Sequence, residues 1–69
     1  MTIMQEQLRE ALTAFLSASA TRDAGKIRAA LARIGELRRQ LGDDAPAELR
    51  HYLERRSYQK ALEFLKSGA

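Results

Sequence analysis

The chain contains no cysteine, a single histidine, a single proline and no apolar run near the ~20 residues of a membrane span. Without cysteine there is no disulfide, no thiolate metal site and no thiol redox chemistry. With one histidine, the chain has no second imidazole for zinc, which takes three or four ligands. No glycine-rich phosphate loop, low-complexity segment or repeat of about 20–50 residues is present. Nothing alternates with period two, so no strand is expected. Met1–Glu10 is polar and amphipathic, unlike the basic start and apolar core of a signal peptide. The default expectation is a cytoplasmic protein.

Sixty-nine residues suffice for one helical domain over residues 1–69. A chain this short buries only ~60% of its unfolded surface, so its core is thin. Small domains need a staple: disulfides, a metal, good helix packing or a second subunit. The first is excluded here, and helix packing or oligomerisation remains. The net charge of +3 is uneven. Residues 1–20 carry −1, residues 21–42 carry +4 and residues 43–69 balance. Arginine exceeds lysine nine to three, a bias expected of a GC-rich bacterial coding sequence.

Helical spacing is plain along most of the chain. Thr2, with Gln5 three residues on, has capping-box spacing. Met4, Leu8, Ala11, Leu12, Phe15, Leu16 and Ala18 then form one broad apolar stripe, predicting a helix over residues 3–18. Thr21 or Asp23 suits the cap of a second helix with Ala24, Ile27, Ala30, Leu31, Ile34, Leu37 and Leu41 as its stripe. Gly42 stands where a helix commonly ends, and Arg38 and Arg39 suit the last turn. Gly25 and Gly35 weaken this helix by up to ~1 kcal/mol each, and close approach of another helix would account for Gly35. Arg38 falls within the apolar face, which suits a buried stem with its head in water. Asp43 or Asp44 suits the cap of a third helix, with Pro46 in its first turn.

Near the C-terminus the hydrophobic phase jumps. At about 100° per residue, Leu49, Tyr52 and Leu53 share one face. Tyr58, Ala61, Leu62 and Leu65 share another, turned by more than a third of a circle. A straight helix through both sets would be apolar nearly all round, which suits only a fully buried helix. Either the chain breaks near Arg55–Ser57, with Ser57 as the next N-cap, or a continuous helix buries both faces with a partner. The segment from Ser57 to Leu65 resembles the second helix of a tetratricopeptide repeat over about nine residues. Glu48 and Leu49 depart from that family's first-helix pattern, and one unit cannot form a solenoid. The likeness implies a helical hairpin around Tyr52, Tyr58, Ala61 and Leu65.

Catalytic equipment is sparse. His51 lies between Glu48 and Glu54 at spacings of three, but solvated helix-surface residues account for that pattern. Capping accounts for Asp43, Asp44 and Ser57. No catalytic residue, metal or cofactor is expected. Arg22, Lys26 and Arg33 read as a basic patch along one flank of the second helix, with Arg28 and Arg39 on the other. Such a ridge can track phosphates, though no aromatic stands on this helix for base stacking. Tyr52 and Phe64 are candidate contacts for a partner, Phe64 lying off the centre of its helix's face.

The expected fold is all-α: a small helical bundle of two long amphipathic helices and a short helical hairpin, or three helices if the last two are continuous. The expected core is Leu8, Leu12, Phe15, Ile27, Leu31, Ile34, Leu41, Leu49, Leu53, Tyr58, Leu62 and Leu65. The expected role is a non-catalytic protein-interaction or assembly module, through a protein partner or homodimerisation. The alternative is weak, sequence-independent nucleic-acid association. No membrane association is expected.

Overall fold

The computed structural model describes residues 3–67. It contains four α-helices, α1 (Ile3–Thr21), α2 (Ala24–Leu41), α3 (Ala47–Glu54) and α4 (Tyr58–Lys66), with a 3-10 turn at Gly42–Asp44 and no strand among the described residues. The bundle measures 31 × 22 × 22 Å. Helix α1, at 19 residues, is ~28 Å long and spans most of it. It packs against both α2 and α4, while α3 packs mainly against α4. Leu8 and Leu12 of α1, Leu37 of α2, Leu49 and Leu53 of α3, and Leu65 of α4 are the largest fully buried side chains. No polar or charged side chain is buried among the described residues. No helix among them is long and apolar enough to cross a membrane.

Helix α1 runs one turn beyond the expected Ala18. The stretch Ser17–Thr21 has small residues but no helix breaker, and the Thr21 hydroxyl donates back to the carbonyls of Ser17 and Ala18 at 3.3 and 3.2 Å. What stops the helix is Arg22, in the left-handed region at φ 57°. The amides of Asp23 and Arg22 turn back to the carbonyls of Ala18 and Ser19, the two bonds of a Schellman motif. Of the two candidate caps for α2, Asp23 is used: its Oδ1 accepts from the Lys26 amide at 3.1 Å. Gly42 ends α2 as expected, at φ 50° and ψ −132°. Thr2, the expected first cap, lies outside the described residues.

Neither aspartate caps α3. Proline disfavours the helical region for the residue before it, and Ala45 is extended at ψ 142°. Helix α3 therefore starts only after Pro46, which is its N-cap residue and not part of its first turn. Asp43 and Asp44 are left in the 3-10 turn, and Asp43 accepts from the Arg50 guanidinium at 3.1 Å. Ala45 is buried in the core, which fixes this entry.

The phase jump is a break. Helix α3 ends in a second Schellman motif: Arg56 takes φ 59°, its amide donates to Leu53, and the Ser57 amide donates to Tyr52 at 2.8 Å. Ser57 occupies the N-cap position of α4, but its hydroxyl makes no cap hydrogen bond. The turn itself, and not the serine side chain, separates the helices. The hairpin forms, yet its two tyrosines part company. Tyr52 meets Phe64 edge-on with centroids 6.4 Å apart, and Tyr58 meets Phe15 of α1 at 4.8 Å.

Two substitutions separate these devices. Ser57→Ala should change unfolding free energy by less than ~0.5 kcal/mol, because no cap bond is lost. Gly42→Ala should cost about 1–3 kcal/mol through backbone strain alone, since a β-carbon there meets no atom within 4 Å. Urea unfolding of the two variants beside the parent measures both.

Candidate functional site

Eight of the residues expected in the core are buried, but Phe15, Ile27, Leu31 and Tyr58 are only half-buried. The apolar stripe of α2 is wider than the single helix α1 can cover, and α4 does not close over its outer edge. Leu37, absent from the expected core, is fully buried in its place. The four half-buried residues converge. Together with Leu16 they line one open groove of about 740 Å³ where α1, α2 and the start of α4 meet. Arg56, Lys60 and Glu63 complete its polar edge. Ile3, 73% exposed, is the only mostly exposed large apolar residue among the described residues, and the groove gathers five of the partly exposed ones in one place.

A second depression adjoins the first and shares Leu31, Arg56 and Tyr58 with it. It runs along α2 past Ala32, Gly35, Arg38 and Arg39, with Leu53 on the far wall. Gly35 is exposed and a β-carbon built there meets nothing within 4 Å, so no helix of this chain explains it. Arg38 is exposed, bordering this depression beside Leu53. Among the described residues, ion pairs join Arg39 to Glu36 at 3.5 Å and Arg50 to Asp43 at 3.1 Å. Arg38, Arg56 and Lys60 join neither pair.

The expected site residues lie elsewhere. Lys26 and Arg33 border a separate depression along the α1–α2 seam, beside Ala14 and Ala18. Arg33 donates to the Gln7 side chain at 3.5 Å. Arg22 is not on α2 at all: it is the left-handed residue that ends α1, so its helical spacing to Lys26 does not hold. Tyr52 and Phe64 are half-buried and packed on each other, outside the groove. His51 is exposed, with Tyr52 as its ring neighbour at 6.2 Å. No group of three or more histidine, aspartate or glutamate residues is disposed to hold a metal ion among the described residues. The groove was missed because periodicity gives the width of a stripe but not how many neighbours cover it.

Comparison with protein-family models, with curated proteins and with solved structures gives no match to this chain.

The groove residues should weigh less in folding than the core. Leu37→Ala should destabilise by about 2–5 kcal/mol, as a fully buried leucine does. Leu31→Ser should cost about 1–2 kcal/mol, less than Leu37→Ala, because part of the Leu31 side chain remains open to water. Thermal and urea unfolding followed by circular dichroism gives both values.

Proposed function

We propose that this protein is a small non-catalytic interaction module that holds a protein partner in the groove between α1, α2 and α4. The observation that carries this reading is the convergence of Phe15, Leu16, Ile27, Leu31 and Tyr58 on one open apolar surface. Nothing in folding requires such a surface to stay open, and contiguous apolar patches of this kind mark interaction sites. A bundle of this size gains stability when a partner completes its core. Cytoplasmic placement is part of the same proposal.

Self-association is the other form of this reading, with Tyr52 and Phe64 as its first candidates. Their mutual packing leaves less of either ring to offer a second copy. The basic patch supports nucleic-acid association less well, since Arg22 is displaced from the flank of α2 and Arg33 is engaged with Gln7. Phosphate binding through that patch would weaken steeply as salt rises.

Photo-crosslinking tests the interaction reading. With benzoylphenylalanine at Leu16 or Leu31, irradiation in an extract of the source cells should give a discrete adduct with another protein. The same probe at Arg9 or Thr13, away from the groove, should give none. Adducts at all four positions alike, or at none, would defeat the proposal.

A further inference from the structure

Two residues on this face cost the isolated fold stability: Gly35 with no packing return, and Arg56 as the strained residue that closes α3. Glycine inside a helix is less stable than alanine, and Gly35 has open space where its side chain would be. A glycine at such a place lets a foreign backbone come close. Arginine in the left-handed region is strained where glycine would not be, yet Arg56 takes φ 59°. Both line the same depression, and Arg56 also lines the apolar groove it joins. The surface therefore has an apolar floor, a point of close approach and a cation at the junction.

The charge on this face indicates what covers it. Arg38, Arg39, Arg56 and Lys60 stand against two carboxylates, and one of those, Glu36, is already paired with Arg39. A second copy of the chain is a poor occupant, because a two-fold interface sets the same patch against itself and brings cations together. We infer that the groove and depression form a dock for an acidic amphipathic helix of another protein. Gly35 admits its backbone, and Arg56 takes a carboxylate on its flank. This rests on the interaction reading above and specifies its partner. The apolar floor receives anchors spaced i, i+3 or i+4, and i+7, as helices lying in grooves present them.

The test uses a synthetic amphipathic peptide with leucine at those anchor positions and glutamate on both flanks, and a twin with lysine on the flanks. Fluorescence anisotropy gives affinity, and amide chemical shifts of the full chain give the site. The glutamate peptide should bind and perturb residues 31–35 and 56–60, and the lysine twin should bind at least tenfold more weakly. Arg56→Gly should raise Tm by about 4–8 °C by relieving strain, yet weaken the glutamate peptide about three- to fivefold. Gly35→Leu should also raise Tm while blocking the peptide. Arg22→Gly is the control: it relieves the same backbone strain away from the groove, so it should raise Tm and leave binding unchanged.

Equal binding of the two peptides would overturn the acidic assignment. No binding of either peptide, with crosslinks still forming at Leu16 and Leu31, would overturn the helical partner while leaving the interaction reading standing. Sedimentation as a dimer that Gly35→Leu dissociates would replace the partner with a second copy. Binding of duplex DNA lost in Arg56→Gly would replace it with nucleic acid.

Discussion

Leu8 and Leu12 of α1 are the contact on which the rest of the structure depends. Both are fully buried, and their helix is the one that meets α2 on one side and α4 on the other. Helix α3 reaches the bundle mainly by way of α4, and its own Leu49 and Leu53 complete the cluster. With one helix as the common wall, the others cannot all close over its edges. What α1, α2 and α4 leave uncovered among the described residues is the groove lined by Phe15, Leu16, Ile27, Leu31 and Tyr58.

Much of this was legible in the sequence, for identifiable reasons. The two long helices follow from stripes with period 3.6, and their junctions follow from Asp23 and Gly42, whose side chain or lack of one suits a helix end. The phase difference between Leu53 and Tyr58 locates the break after α3 but leaves open a continuous helix burying both faces; the turn at Arg56 decides between them. The finer chemistry was not legible. Residue type indicates that a serine or aspartate can cap, but the extended step at Ala45 and Pro46 decides that Asp44 does not. Ser57 marks the right position, while the turn is made by Arg56, whose left-handed backbone has no sign in the sequence.

The site was less legible than the fold. Phe15, Ile27, Leu31 and Tyr58 have the same apolar character as the buried residues around them, and only the placement of α4 leaves them partly open to water. The basic residues show the complementary error. Arg22, Lys26 and Arg33 stand at helical spacings of four and seven in the sequence, but the turn after Thr21 takes Arg22 out of the helical register. Arg38 and Arg56, eighteen positions apart in the chain, border one depression instead.

The wholly apolar interior has a consequence for how the molecule responds to its surroundings. No polar side chain is buried among the described residues, and the two ion pairs lie at the surface. Cohesion therefore comes almost entirely from the removal of hydrocarbon from water, which weakens on cooling and is indifferent to moderate ionic strength. The cations around the groove obey the opposite rule, since their reach shortens as the Debye length contracts. Ionic strength thus acts as a dial on encounters at this surface that leaves the architecture beneath it untouched, while temperature acts on the core and on the groove's apolar floor alike.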